Sequence, residues 1–332
     1  MSDMTAREQG RAALRALLSC EADQTVNAAA RAMSDAIVAR HKDCLVATLF
    51  YGSCLRPMHD TDAMAVGPGS AGEQLMDFYA IVDNLRRANG GVFSALGNHL
   101  LPPNVFYLEV PYNGGRVRCK YAIVTLAQFR HLVRPDTRQN YFWGRFCQPT
   151  AVPFARGAGT RDTLVEVLAD AVVTTVGAVA PLLDAPFTAR DLWVRALAES
   201  YGAELRPESA ARPAQVHDAH AGRYEALTPV ALAAAGFEAP KDADGRFMPV
   251  ADERAQRQAR RAWSWRRLLG KTLNVLRLMK AVFTFEGGAD YVAWKIQRHS
   301  GVRVDISDWQ RRHPLLASPV LALRYWRKGA FR

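Results

Sequence analysis

The chain has 332 residues, of which 49% are hydrophobic, enough for one large core and for two domains or one domain with a long appendage. No run reaches the roughly 18 uncharged apolar residues of a membrane-spanning helix, and the longest candidate, 171–183, is too short. The first residues lack the basic flank and apolar stretch of a secretory signal. The five cysteines are scattered and have no C-x-x-C spacing. They predict reduced thiols in a cytoplasmic protein and exclude a disulfide framework or zinc site.

The first predicted elements are two helices followed by two strands. Ala, Arg, Leu and Met recur at helical spacing through residues 6–40, which indicates two helices. The runs 44–50 and 75–82 are apolar and predict buried strands, the second interrupted only by Asp77. A Gly-rich, uncharged loop at 66–72 lies between them.

A β-hairpin is predicted around the Asn-Gly dipeptide at 113–114, because this pair favours a two-residue turn. That turn fixes the register and places Glu109 opposite Arg118 and Tyr107 opposite Lys120. Since side chains alternate between the two faces of a strand, all four share one face of the hairpin.

The rest of the chain is predicted to be mainly helical. The ranges 160–183 and 188–201 have helical patterns, and 206–245 is rich in Pro, Ala and Gly and is predicted to form loops around short helices. Within it, the His-x-x-His spacing of 217–220 would suit a metal, but no Cys or further His is nearby, so a solvated loop is favoured. The range 254–285 is helical and has no acidic residue.

The Gly-Ser pair at 52–53 and Asp77 carry the chemistry that the sequence indicates. A Gly-Ser turn after a strand lets backbone N–H groups and a hydroxyl approach a triphosphate. A carboxylate inside an apolar strand must be paired or bind a metal, and Mg²⁺ can neutralise charge during attack on phosphorus. This arrangement is typical of polymerase-β-type nucleotidyltransferases, although a Gly-Ser pair alone is a common turn.

A series of ordered motifs resembles the mitochondrial-type phosphatidate cytidylyltransferases, the translocator assembly and maintenance protein family, here as a bacterial-like member. The similarity spans roughly residues 40–300. The motifs lie at 50–57 (Phe-Tyr-Gly-Ser-Cys-Leu-Arg-Pro), 76–83 (Met-Asp-Phe-Tyr-Ala-Ile-Val-Asp), 120–124 (Lys-Tyr-Ala-Ile-Val), 144–149 (Gly-Arg-Phe-Cys-Gln-Pro) and 199–206 (Glu-Ser-Tyr-Gly-Ala-Glu-Leu-Arg), with a weaker match at 280–295. Cys54 stands where the family usually has glycine.

The resemblance implies an α+β fold in three parts. A polymerase-β-type nucleotidyltransferase domain with N-terminal helices is expected at 1–155, and a small winged-helix-like, mainly helical domain at 156–253. A basic C-terminal helical region that contacts membrane is expected at 254–332. The implied substrates are CTP and phosphatidate, with Mg²⁺ as cofactor.

The expected site residues follow from the matched motifs and the predicted sheet. Asp77 and Lys120 are the predicted catalytic residues, and Asp77 also the predicted Mg²⁺ ligand. The predicted nucleotide-binding residues are Tyr51, Gly52, Ser53, Lys120 and Arg145. For Lys120 a solvated strand lysine, and for Arg145 a structural ion pair, are the alternatives.

The usual spacing does not supply a second metal ligand, because Tyr79 stands where other nucleotidyltransferases have the second acid, a position at which the family itself tends to lack one. Asp83 is about 20 Å from Asp77 along the strand, too far to share an ion. Glu109 on the hairpin is the preferred second ligand. A cross-strand ion pair between Glu109 and Arg118 is the equally weighted alternative.

The C-terminal segment 254–332 predicts contact with an anionic surface. It has 18 Lys or Arg residues against four acidic ones, and five of the seven tryptophans lie beyond residue 261. A helix over 254–285 places an apolar stripe between basic flanks, which suits the plane of an anionic bilayer. The alternative is that the stripe packs on the body of the protein. The stripe residues are Trp265, Leu268, Leu269, Thr272, Leu276, Met279, Val282 and Phe283.

Together these observations predict a cytoplasmic enzyme associated peripherally with the inner face of the membrane, transferring CMP from CTP to phosphatidate. Two alternatives stay open. The acceptor could be a nucleic acid or another phosphate compound, with the basic segment binding phosphates, although nucleic acid is less favoured. The chain could also be a membrane-associated scaffold without catalysis, which Tyr79 and Cys54 leave open.

Overall fold

The computed structural model describes residues 5–52, 54–55, 75–204, 209–238, 240–248, 253–284 and 306–312. The strands are β1 Leu45–Tyr51, β2 Leu75–Val82, β3 Asn104–Tyr112, β4 Gly115–Thr125 and β5 Thr150–Ala155. The helices are α1 Ala6–Ala22, α2 Ala28–His41, α3 Leu85–Ala88, α4 Val92–Leu100, α5 Leu126–Leu132, α6 Trp143–Phe146, α7 Ala158–Val179, α8 Ala189–Gly202, α9 Arg212–Asp218, α10 Ala221–Ala234, α11 Glu253–Thr284 and α12 Asp308–Arg312. The chain is therefore mixed α+β, as predicted.

The five strands form one mixed sheet in the order β3-β4-β2-β1-β5, in which only β2 and β4 are parallel neighbours. The predicted hairpin is confirmed, with Glu109 opposite Arg118 and Tyr107 opposite Lys120. Positive φ angles of 46° at Asn113 and 74° in the following glycine fit the two-residue turn that the Asn-Gly pair predicts.

Alternation along the strands divides the sheet between two cores. Leu49 and Tyr79 face a large cluster that also contains residues of α1, α7, α8 and α10. Phe50, Phe78 and Tyr121 face a second cluster that contains residues of α2. Because the larger cluster contains residues of both the sheet and these four helices, the sheet and the helices share one core.

Helix α7 is the central helix of that shared core. Together with the 3-10 turn that follows it, it forms the one described helix long and apolar enough to cross a membrane, 158–182, and 67% of its apolar window is buried inside the fold. An apolar helix that is buried to this extent within the fold is a core helix. The described residues therefore contain no clear transmembrane span.

Helix α11 packs on the body through the opposite face from the one expected. Its buried positions include Trp263, which is fully buried, and Arg277, which is 8% exposed. In the predicted apolar stripe, by contrast, Trp265 is 70%, Leu268 61% and Met279 60% exposed. The alternative in which these stripe residues pack on the body is wrong. Trp263, one of the five tryptophans beyond residue 261, is a core residue, and its indole N–H donates to the Ala178 carbonyl.

Candidate functional site

A cavity of about 630 Å³ opens where β1 ends and β2 begins. Its size is in the range of small-molecule sites. The sheet forms one side of the cavity, and residues from the α6 and α8 regions and from α9 form the others. The predicted site residues Tyr51, Gly52, Asp77, Lys120 and Arg145 all line it. Residues distant in the sequence are thus brought to one place.

The floor of the cavity consists of two oppositely charged side chains on neighbouring strands. Asp77 of β2 pairs across the parallel ladder with Lys120 of β4 and across the antiparallel ladder with Tyr51 of β1. The Lys120 Nζ lies 3.6 Å from the Asp77 Oδ1, and the two side chains are 35% and 32% exposed. This separation exceeds a hydrogen bond, so both groups keep capacity to bind a ligand.

Gly52 forms the rim directly beside the carboxylate. Its φ angle of 88° is one that side-chain-bearing residues rarely adopt, and a Cβ atom there would lie 3.4 Å from the Asp77 Oδ2. A glycine therefore allows the chain to turn away from β1 while leaving open space over Asp77. Ser53, predicted to bind nucleotide with Gly52, lies outside the described residues.

Arg145 forms a buried positive wall of the cavity. Its side chain is 7% exposed and donates to the Glu204 carboxylate at 3.3 Å and to the Tyr79 hydroxyl at 3.4 Å. The structural ion pair that was the alternative for Arg145 is therefore present, and the same guanidinium also lines the cavity. The pair holds Arg145 in place, because a charge this buried needs a partner.

Tyr141 connects this wall to α11. The guanidinium carbon of Arg145 lies 4.2 Å from the centre of the Tyr141 ring, and that of Arg277 on α11 lies 4.1 Å from it. Burial alone would raise the pKa of Tyr141, but the two neighbouring guanidinium charges hold it below its usual value. The outer helix therefore contacts a residue that touches the cavity wall.

The far side of the cavity includes α9 and the residues just after it, which the sequence did not place near the other site residues. Arg212, Gln215 and His220 line it. The prediction of a solvated loop at 217–220 is wrong, because His217 is 3% exposed and stacks on the Tyr224 ring. Arg212 and His220 add two basic side chains to the cavity lining.

Glu109, the preferred second metal ligand, is placed elsewhere. It is not among the residues lining the cavity, and it accepts hydrogen bonds from Arg116 at 2.8 Å, Arg118 at 3.0 Å and the Tyr107 hydroxyl at 2.8 Å. Burial alone would raise its pKa, but these donors hold the pKa below its usual value. The cross-strand ion pair is the alternative present in the structure.

Asp77 is the carboxylate of the cavity that fits Mg²⁺. Among the described residues no group of three or more His, Cys, Asp or Glu side chains could hold a metal. Mg²⁺ nevertheless often has only one or two protein carboxylates, with water and substrate phosphates completing its shell. Asp77 fits that role, whereas Glu204 is occupied by Arg145. Asp83 is ion-paired with Arg156 at 2.7 Å and does not line the cavity.

Residues missed from the sequence include Glu204, Tyr141 and the basic residues of the far wall. A signal existed for Glu204, because it lies in the matched motif 199–206. The far wall carried a weaker signal, the His-x-x-His spacing that contains His220, since α9 is short and lies in a Pro- and Ala-rich range.

Comparison with known proteins gives no family assignment. No protein-family model matches the chain, and no curated protein matches it significantly. The assignment of an activity consequently depends on the cavity and on the resemblance of short motifs.

Proposed function

We propose that this chain is a Mg²⁺-dependent nucleotidyltransferase, specifically a phosphatidate cytidylyltransferase. It would transfer CMP from CTP to phosphatidate and release CDP-diacylglycerol and pyrophosphate. The observation that carries the proposal is the Asp77–Lys120 pair on the floor of a cavity whose rim is Gly52. A carboxylate, an ammonium and an open glycine turn are groups that suit the binding of a metal-complexed triphosphate.

The reaction needs positioning and neutralisation of charge more than proton transfer. A phosphate oxygen of phosphatidate, already ionised near neutral pH, attacks the α-phosphorus of CTP, and the bond to pyrophosphate breaks. Lys120 on the floor and Arg145 on the wall would neutralise the negative charge that the phosphate oxygens gain during the transfer. Mg²⁺, held by Asp77 and the substrate phosphates, would neutralise further charge. The buried Arg145–Glu204 pair keeps the guanidinium from moving.

The choice of a lipid acceptor is supported by α11 and by the resemblance. The exposed face of α11 presents Trp265, Leu268, Leu276 and Met279, and the described part of this helix after Glu253 has no acidic residue. Apolar and basic groups on one helix favour the interface of an anionic bilayer. We therefore propose that the enzyme works while bound peripherally to the inner face of the membrane. A nucleic-acid acceptor is less favoured, because phosphate backbones do not need exposed Leu and Met side chains.

Purified chain, Mg²⁺, labelled CTP and vesicles containing phosphatidate provide the test. We expect labelled CDP-diacylglycerol and an equal amount of pyrophosphate, both abolished by a chelator of divalent ions. Product with an RNA or DNA acceptor, and none with phosphatidate, would replace the lipid acceptor. A lack of CTP binding by calorimetry in the presence of Mg²⁺ would favour the scaffold without catalysis.

A further inference from the structure

Helix α4 is amphipathic, but its apolar face is exposed to solvent and its polar face packs on the protein. Four large apolar side chains lie on its exposed face: Val92 is 55%, Phe93 91%, Leu96 51% and Leu100 72% exposed. Their positions fall within about one third of the helical circumference. Solvent exposure of this much apolar surface on one short helix indicates that another surface covers it.

The face of α4 that packs on the protein is polar. Asn98 is fully buried and donates to the Ile123 carbonyl at 3.0 Å, and the Ser94 carbonyl accepts from Asn104 at 2.9 Å. These hydrogen bonds fix the rotation of α4. The apolar face is therefore held outward by the fold and cannot turn inward without losing buried hydrogen bonds.

Helix α4 lies against α11, whose apolar face is also exposed. A Cβ atom at Gly97 would lie 3.4 Å from the Lys280 side chain, so the two helices approach closely there. Close to this contact on α11, Leu276 is 45% and Met279 60% exposed. Two neighbouring helices thus both present apolar residues outward.

The charge around these two helices indicates which kind of surface covers their apolar faces. The ranges 84–108 and 254–285 contain no acidic residue, whereas Arg86 and Arg87, just before α4, are exposed. A cationic surface with an apolar centre is complementary to a bilayer with anionic headgroups. A second copy of the chain would bring like charges together, which opposes association.

We propose that α4 is a second membrane-insertion element, which places Phe93 and Leu96 in the acyl region of an anionic bilayer beside the exposed face of α11. This inference extends the proposed function, because it names a part of the sheet domain that would hold the cavity close to its lipid substrate. With α4 and α11 both inserted, the protein contacts the bilayer at two places, which limits its rotation on the membrane surface.

Co-sedimentation of the full chain with phosphatidylcholine vesicles, with and without phosphatidate, measures the contact. Burial of a phenylalanine ring in an apolar phase predicts that Phe93→Ser lowers partitioning about tenfold or more, whereas Phe93→Leu retains most of it. Leu17→Ser, at a 40% exposed position on α1, serves as the matched control and should leave partitioning unchanged. Arg86→Gln with Arg87→Gln should weaken binding only when phosphatidate is present.

The outcomes separate this inference from the proposed activity. Equal vesicle binding by Phe93→Ser and the unaltered chain overturns the inference, as does a dimer in ultracentrifugation that Phe93→Ser dissociates. Turnover of a short-chain phosphatidate that needs no vesicle should be the same in Phe93→Ser. If turnover is absent while Phe93-dependent vesicle binding persists, the proposed activity fails and the membrane contact stands.

Discussion

The cavity floor and the outer face of α4 and α11 distribute polarity in opposite ways. On the floor, Asp77 and Lys120 are charged groups set into an apolar sheet. Tyr79, two residues after Asp77 on the same face of β2, is fully buried. On the outer face, Phe93 and Trp265 are apolar groups set among cations. Both regions depart from the ordinary inside–outside pattern. Such departures in an otherwise regular fold are where function is expected.

The difference between the two regions is in what fixes them. Strand pairing alone brings Asp77 beside Lys120, because their register is set along eight consecutive pairs of the β2–β4 ladder. The outer helices are fixed instead by buried hydrogen bonds from polar side chains. Arg277 donates to the Pro102 carbonyl at 2.9 Å and Lys280 to the Pro103 carbonyl at 2.8 Å. These polar side chains therefore anchor the C-terminal half of α11, in which Leu276 and Met279 stay exposed.

The largest expected effect is on the floor. Asp77→Asn removes the carboxylate that fits Mg²⁺, and we expect Mg²⁺-dependent release of pyrophosphate from CTP and phosphatidate to fall at least about a thousandfold. The side chain is about one third exposed and Lys120 stays solvated, so the unfolding midpoint should change little.

Asp83→Asn is the matched control, because Asp83 directly follows the same strand and its ion pair with Arg156 lies outside the cavity. Turnover in that variant should be within a factor of about two of the unaltered chain. Loss of turnover in both variants would show that the effect is structural. Retained turnover in Asp77→Asn would remove Asp77 from the metal site.

Four of the five strands could be predicted from sequence because their determinants are local, whereas β5, Thr150–Ala155, was not predicted. The range 75–82 matches β2 at both ends, and the Asn-Gly turn set the register of Glu109 opposite Arg118. That register also made the ion pair of Glu109 foreseeable. The separation of this ion pair from the cavity could not be predicted, because the position of β4 between β3 and β2 depends on pairing between distant segments.

The docked face of α11 could not be predicted, because the apolar stripe is the stronger pattern in its sequence. Hydropathy favours burial of Leu268 and Met279. The structure buries Gly270 instead, where an added Cβ would lie 2.4 Å from the Ala203 carbonyl oxygen. That close approach, and the carbonyls that receive Arg277, belong to distant parts of the chain and leave no periodic signal in the helix itself.

A second prediction uses two tryptophans on α11 that differ only in the face they occupy. Trp263→Ala removes a fully buried indole that donates to the Ala178 carbonyl at 2.9 Å. We expect the free energy of unfolding to fall by about 3–5 kcal/mol. Trp265→Ala removes a 70% exposed ring and should change it by no more than about 0.5 kcal/mol.

Denaturant unfolding followed by circular dichroism measures both variants, and vesicle co-sedimentation provides the second readout. Trp265→Ala should weaken binding to phosphatidate vesicles several-fold, since its ring is available to the bilayer. Equal destabilisation by the two variants would contradict the orientation of α11. Equal vesicle binding by Trp265→Ala and the unaltered chain would contradict the role of its exposed face.

The smallest expected effect concerns Lys280, which lies where α4 and α11 meet. Burial, with a further contribution from the nearby Arg277 charge, lowers the pKa of Lys280 from 10.5 to about 7. The neutral amine keeps two hydrogens for donation to the Leu101 and Pro103 carbonyls. Between these two pKa values the unfolded chain binds more protons at this site than the folded chain. The contribution of Lys280 to stability therefore rises with pH through that window and is lost as pH falls through about 7.

Thermal unfolding across the same window measures this contribution when Lys280→Met is compared with Lys271→Met, whose parent side chain is exposed on the same helix. We expect the rise in melting temperature between neutral and alkaline pH to be smaller in Lys280→Met than in Lys271→Met. An identical pH dependence in the two variants would mean that Lys280 is hydrated as it is in the unfolded chain. The contact between α4 and α11 would then be looser than the carbonyl hydrogen bonds indicate, and the two apolar faces would be free to move independently on a bilayer.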